Sequence, residues 1–357
     1  MLILLFVSPS GGSCDEPAVP RALFVSVLQD RPVLSSREGI AGLLEYAKQA
    51  GISILFVQIY RANQSWFPSK TADQSPYTEC FKHVQEDPLA LLIDTAHARG
   101  IQVHAWLNLL SLSANSRAPI LKQFGADILT RNQQKKTRIE DYKIDGQYFL
   151  EPGDPRVRGE LAEIVTEILL HYPRLDGIQF DYIRYPDERP FYGHTVINIE
   201  RFKKATGAAS VIETGALWQD WKRRQVTELL EQLVAVARQL RPNIQISTTA
   251  CVPFVRAYKE AFQDWPLWLN SGLVDFVTLM TYPPGFDEFE KYVREARSKV
   301  PSLKNVIIAV GAYKHVRSPQ TFIRQFRYCE SQKCKACAVL HYATLLEGPE
   351  LGRALRE

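Results

Sequence analysis

The sequence predicts an α/β chain folded as one (β/α)8 TIM barrel with long βα loops, and three observations carry that prediction. Eight short apolar runs alternate with longer amphipathic segments along the chain. Several runs are apolar at successive positions, as parallel strands covered on both faces are. Connections into the runs are short and connections out of them are long, the asymmetry of a barrel whose function sits at one rim.

In order, the runs cover 22–27, 52–60, 103–110, 177–183, 244–251, 274–282, 306–313 and 338–342. Helix signals fill the gaps. Ser35 with Glu38 reads as a capping box opening the first helix, and Gly51 closes it. Asp87-Pro88 supplies a cap and a first-turn proline to the second helix, which Gly100 ends. Asp154-Pro155 opens the third in the same way, and further helix patterns run over 217–240, 288–299 and 320–329. The helix-to-strand links are 49–52, 99–102 and 241–243, whereas the strand-to-helix links cover 61–86, 111–153 and 184–215. Without an internal repeat, the pattern gives one closed barrel over 21–357 behind a short segment 1–20; an open doubly wound sheet is the competing architecture.

Composition narrows the function classes. The chain has 357 residues, 46% hydrophobic and 23% charged, with a net charge of +4, which is ordinary for a globular protein. The one basic cluster, 131–138, lacks interleaved aromatics, so no nucleic-acid partner is expected. Beyond the N-terminus no stretch approaches the ~18 apolar residues of a membrane span. Residues 2–7 are apolar and 8–15 small and polar, so an exported chain, periplasmic or on the outer surface, is expected. Membrane attachment would come only through a lipidated Cys14. Cys329, Cys334 and Cys337 cluster near the C-terminus. A structural zinc site takes four ligands, and no second pair is present, so a local disulfide or free thiols are expected and no metal.

The rim of such a barrel collects residues from the strand ends: Gln58 and Tyr60, then His104, Trp106 and Asn108, then Gln179, Asp181 and Arg184, and finally Thr249, Tyr282, Tyr313 and His341. This mixture of carboxylate, amide and aromatic groups suits a polyhydroxylated ring, with hydrogen bonds to hydroxyls and stacking on C–H faces. Asp181 is the sharpest signal. It lies late in an apolar strand, where a carboxylate is costly unless paired or functional. Arg184 offers the alternative of a structural ion pair. Asp176 and Asp275 open their strands and belong to the stability end. His104 and His341 stand on different strands without a His-x-His spacing, no Gly-x-Ser-x-Gly elbow occurs, and 311–313 is a poor phosphate turn. No cofactor is expected.

Several stretches in order carry a family resemblance: FVQIYRANQSWFPSK, DPLALLIDTAHARGIQVHAWLN, FLEPGDPRVRGEL, LDGIQFDYIRYP, WKRRQV, DFVTLMTYPP and VGAYK. Together they resemble the bacterial glycosyl hydrolase-like 10 family over about 21–346, nearly the whole chain. The chain departs from the family pattern at Glu151, where aspartate is common, and at Tyr182, where a second aspartate often follows the strand-four aspartate. The acid position of chitinase-like barrels falls on Ile183, which argues against their mechanism. The resemblance implies a glycoside hydrolase working with two carboxyl groups. Asp181 is assigned as nucleophile or base. Glu151 is the first choice for the acid, with Asp187, Glu188, Asp287 and Glu288 in reserve. Gln58, Tyr60, His104, Asn108, Gln179, Arg184, Tyr282 and His341 are candidates for substrate positioning, and Trp66 and Trp106 for stacking. The implied partner is a polysaccharide, such as peptidoglycan sugar strands. The alternative is a non-catalytic carbohydrate-binding protein that kept the cleft and lost the acid.

Overall fold

The computed structural model describes residues 18–29, 32–186 and 191–356; Cys14, Asp187 and Glu188 lie outside them. Eight parallel strands run β1 (Arg21–Val25), β2 (Ile52–Arg61), β3 (Gln102–Asn108), β4 (Gly177–Asp181), β5 (Gln245–Ala250), β6 (Phe276–Thr281), β7 (Val306–Gly311) and β8 (Ala336–Leu340). Each pairs with the next, and β1 pairs with β8, so the sheet closes. The principal helices are α1 (Arg37–Gln49), α2 (Pro88–His97), α3 (Pro155–His171), α4 (Ala216–Leu240), α5 (Trp265–Asn270), α6 (Phe286–Lys299), α7 (Pro319–Glu330) and α8 (Tyr342–Glu347). All eight expected strands are present, in the expected order, so the sheet is a barrel and not an open one.

Two cores follow from strand alternation. Ala22, Phe24, Ile54, Phe56, Trp106, Phe276, Ile307, Ala309, Ala336 and Ala338 fill the barrel interior. Bulky rings enter from β1, β2, β3 and β6, and the small residues of β7 and β8 make room for them. The opposite strand faces pack with the helices in a larger outer core. At the base, Asp176 accepts from the Val103 N–H at 2.7 Å and pairs with His97, while Asp275 accepts from the Ile246 N–H at 2.7 Å and pairs with Arg238. Both acids therefore tie strand starts together, as their positions predict. Nearby, a Cys329–Cys337 disulfide joins the end of α7 to β8.

Asp87 and Asp154 cap α2 and α3 by accepting from Ala90 and Arg156 N–H groups, each at 2.9 Å. The cap of α1 is displaced by one residue from the expectation. Ser36 Oγ accepts from the Gly39 N–H at 2.9 Å, because Ser35 ends a preceding turn of 3-10 helix and its hydroxyl donates to the Pro32 carbonyl. The long loops at the C-terminal rim hold structure of their own. Gln64–Ser65 folds back antiparallel onto β2, Ser111–Ser113 pairs with Tyr148–Phe149, and the helix Val196–Thr206 lies between β4 and α4. Among the described residues, no helix is long and apolar enough to cross a membrane.

Candidate active site

Asp181 is the last residue of β4 and is only 5% exposed. Three donors converge on its carboxylate. The Trp106 indole N–H from β3 reaches Oδ2 at 2.9 Å, the Thr249 hydroxyl from β5 reaches Oδ1 at 2.6 Å, and the Tyr182 backbone N–H reaches Oδ1 at 2.8 Å. Neighbouring strands thus fix the orientation of one carboxylate, and Arg184 is not among its partners. The Arg184 guanidinium instead lies 4.8 Å from the Tyr182 ring centroid and donates to the Tyr185 carbonyl at 3.3 Å.

The chain leaves β4 through an unusual residue. Tyr182 has φ +53°, a left-handed conformation that costs a residue with a Cβ about 1–3 kcal/mol. Its carbonyl accepts from the Leu110 N–H at 3.3 Å, which locks the turn to the end of the β3 segment. The turn delivers an N–H to Asp181 and places the Tyr182 ring in the wall of a cleft of about 550 Å³. Tyr282, Tyr292, Tyr313, Arg184, Arg256, Lys314 and Glu288 share that wall. Tyr282 and Tyr313 meet edge to face at 6.0 Å, and a Cβ on Gly311 would come within 3.0 Å of the Tyr282 ring, so glycine there admits the aromatic. Burial raises the Tyr282 phenol well above its ordinary value, and the nearby Asp181 charge adds to the rise. Tyr282 therefore enters the cleft as a neutral hydroxyl.

The other expected residues divide into rim braces, barrel filling and loop core. Gln58 and Asn108 are both at the rim, but the Gln58 amide N–H donates to Asn108 Oδ1 at 3.0 Å, and Gln58 Oε1 accepts from Ser26 Oγ at 3.0 Å and the Val27 N–H at 3.1 Å. They brace the ends of β1, β2 and β3. Trp106 packs edge to face on Phe24 at 5.1 Å while binding Asp181. Gln179 is fully buried and donates to Thr278 Oγ1 at 2.8 Å. His341 stands half-buried at the position before α8 without a capping side-chain bond, its ring held below its ordinary pKa by burial. Trp66, in the loop after β2, packs against the outer core.

Three expectations are corrected. His104 aligns with Gly177, the first residue of β4, and so lies well below the rim. It is wedged between Phe56 and Phe276 at 5.1 and 5.8 Å, and burial lowers its pKa to about 4. Tyr60 shares parity with Gln58 in sequence, yet the register of β2 shifts between them, which turns Tyr60 into the outer core, where its hydroxyl accepts from Asn63. Glu151 is wholly buried inside the folded β3–α3 loop and does not line the cleft. Its Oε1 accepts from the Tyr185 hydroxyl and from the Gly153 N–H at 3.3 Å, and burial raises its pKa. Its own N–H is tied to the Ile128 carbonyl at 2.8 Å, which holds it under the loop.

Glu288, a reserve candidate for the acid in the sequence, lies at the cleft. It is the one carboxylate among the described residues lining the cleft, and the Tyr292 hydroxyl donates to it. It opens α6 as an exposed acid of the first turn, a place where acids are common for helix stability alone.

Comparisons with known proteins agree with this architecture. The chain is 26% identical over 259 residues to glycosyl hydrolase DigH of Escherichia coli strain K12, covering 68% of this chain and 57% of that protein. It is 23% identical over 264 residues to glycosyl hydrolase YngK of Bacillus subtilis strain 168, covering 67% of this chain and 48% of that one. The chain thus spans about half the length of these relatives. In fold it is similar to the PgaB (BpsB) glycoside hydrolase domain from Bordetella bronchiseptica, with a TM-score of 0.69 at 16% identity over 95% of this chain and 98% of that one. It is also similar to α-L-fucosidase isoenzyme 2 from Paenibacillus thiaminolyticus, with a TM-score of 0.63 at 14% identity over 94% and 48% of the two chains. The model of the glycosyl hydrolase-like 10 family matches residues 29–326, and the chain belongs to that family.

Proposed function

We propose that this chain is a glycosidase that hydrolyses a polysaccharide, with Asp181 as the nucleophile or as the base that activates water. The carrying observation is the grip of three donors on a nearly buried carboxylate at the C-terminal end of β4, beside a cleft walled by tyrosines. Glycoside hydrolysis needs a second carboxyl to protonate the leaving oxygen. Glu288 takes that role in place of Glu151, because it is exposed in the cleft wall whereas Glu151 is wholly buried under the loop. Tyr182, Tyr282 and Tyr313 supply flat faces for sugar C–H groups and hydroxyls for sugar oxygens. Family membership and the names of the relatives support the class. A cell-envelope glycan such as peptidoglycan sugar strands is the first substrate to test, since an exported chain would meet it.

The test is release of soluble fragments, followed by mass spectrometry, from purified peptidoglycan glycan strands and from a panel of plant polysaccharides and exopolysaccharides. Fragments from one glycan identify the substrate class. Retained binding without release supports the second reading, a carbohydrate-binding protein. One observation favours that reading: Glu288 is exposed and engaged by Tyr292, a contact that suits the carboxylate more than the protonated form a general acid needs.

A further inference from the structure

At the base of the barrel, at the strand ends opposite the cleft, three sulfurs meet. Cys329 sits in the last turn of α7, Cys334 in the following turn, and Cys337 is the second residue of β8. Their Sγ atoms all lie within 4.8 Å of one another, and all three residues are buried. Cys334 stands outside the disulfide, yet its sulfur is 3.9 Å from Cys329 Sγ and 3.9 Å from Cys337 Sγ. Equal placement against both bridged sulfurs is not required of a core cysteine. It is what a third ligand of a shared centre needs.

Reduction of the Cys329–Cys337 bond by a thiol reductant takes two electrons and two protons and leaves three thiols. Two unbonded heavy atoms settle at about 3.5–4 Å, so the third edge of the triangle then approaches the 3.9 Å of the other two. Tetrahedral zinc with Zn–S near 2.3 Å holds its sulfurs about 3.8 Å apart. We propose that the reduced chain binds one thiophilic divalent cation of the zinc class through Cys329, Cys334 and Cys337. Binding converts three thiols to thiolates, releases three protons and leaves the centre with one net negative charge.

Cys334 lines a surface hollow of about 630 Å³ together with Val19, Pro20, Lys304, Glu330, Ser331 and Lys333, and the fourth coordination position is assigned to that side. The hollow gives the ion a route in, water or an external thiol completes the tetrahedron, and Lys304 and Lys333 set positive charge beside the centre, the acid there, Glu330, being paired with Arg21 at 2.9 Å. Three protein ligands, in place of the four of a closed structural site, suffice where the fourth position faces solvent. The metal and the disulfide are alternative states of the same two cysteines. Either one ties α7 to β8, independently of what the cleft does.

The experiment uses the full chain reduced with a phosphine, freed of reductant and titrated with cobalt(II), followed by displacement with zinc(II). The expected result is a thiolate-to-cobalt charge-transfer band that saturates at one ion per chain and is lost on adding zinc. The oxidised chain gives no band, Cys334→Ser weakens binding by about tenfold or more, and Cys80→Ala leaves it unchanged. Absence of the band in the reduced wild type, or equal affinity in Cys334→Ser, overturns the proposal. Iodoacetamide labelling of the wild type, read by peptide mass spectrometry, does not depend on any variant folding. Zinc should slow labelling of all three cysteines, and labelling indifferent to zinc contradicts the site.

Discussion

The indole N–H of Trp106 donates to Oδ2 of Asp181 at 2.9 Å, linking adjacent strands at the mouth of the barrel. The Thr249 hydroxyl does the same from the other side, at 2.6 Å to Oδ1. Trp106 holds Oδ2, and Thr249 shares Oδ1 with the Tyr182 N–H, so removing either side-chain donor loosens the carboxylate without freeing it. Trp106→Phe and Thr249→Val should each slow fragment release on the order of 10–100-fold, mainly through kcat, since a misplaced reacting group costs rate more than binding. Each change should also cost about 1–3 kcal/mol of stability, because it strips a nearly buried carboxylate of a donor, so kcat is compared at a temperature where both variants are fully folded. An unchanged kcat in both variants would detach the two donors from the chemistry.

Glu151 and Glu288 make opposite predictions. Glutamine at 151 keeps an oxygen to accept from Tyr185 and removes a charge that burial disfavours, so Glu151→Gln should retain fragment release and most of its stability. Tyr185→Phe should cost about 1–3 kcal/mol in urea unfolding, because it strips a buried carboxyl of its hydroxyl donor. Glu288→Gln should abolish release from substrates with poor leaving groups. Loss of activity in Glu151→Gln with Glu288→Gln intact would reverse the assignment.

His104 makes the fold sensitive to acid. Burial holds its folded pKa at about 4, below the ordinary 6.5 of the unfolded chain. The unfolded chain takes up the proton first, so the contribution is intact above pH 6.5 and is lost as the pH falls toward 4. Between pH 7 and pH 5 the wild type should lose about 2 kcal/mol more unfolding free energy than His104→Leu. Parallel losses in urea titrations at the two pH values would show that His104 is not the sensor.

The same histidine explains a glycine. A Cβ on Gly177 would fall 2.1 Å from His104 Nδ1 and 2.9 Å from the Gln245 carbonyl oxygen. Gly177→Ala should therefore destabilise by about 1–3 kcal/mol or more through overpacking, measured by urea unfolding. A double variant with His104→Ala should recover part of that loss.

The strands were legible because two-sided burial makes each a dense apolar run, and the caps at Asp87 and Asp154, each followed by a first-turn proline, because their chemistry is local. Asp181 was legible for the inverse reason: a charge late in such a run has few structural excuses. What the sequence concealed depends on contacts between distant segments. Tyr60 has the parity of an inward residue until a register shift in β2 turns it outward. Depth along the barrel axis follows from strand stagger, which pairs His104 with Gly177 and Asn108 with Asp181. Glu151 looked like a rim residue because it precedes a helix cap, and only the folding of the 111–153 loop reveals that it is buried.

The central claim is that Asp181 is the carboxylate that does the chemistry, and Asp181→Asn tests it most directly. Asparagine keeps the size of the group and an oxygen to accept from Thr249 and the Tyr182 N–H, while its NH2 meets the Trp106 N–H donor to donor, so circular dichroism should match the wild type and melting should fall modestly. Wild type and variant are then compared for fragment release from the glycan that the panel identifies. The expected result is a folded variant that still binds the glycan and releases fragments at least ~1,000-fold more slowly, the scale on which loss of a catalytic group is felt. A folded Asp181→Asn variant that releases fragments at the wild-type rate would contradict the account.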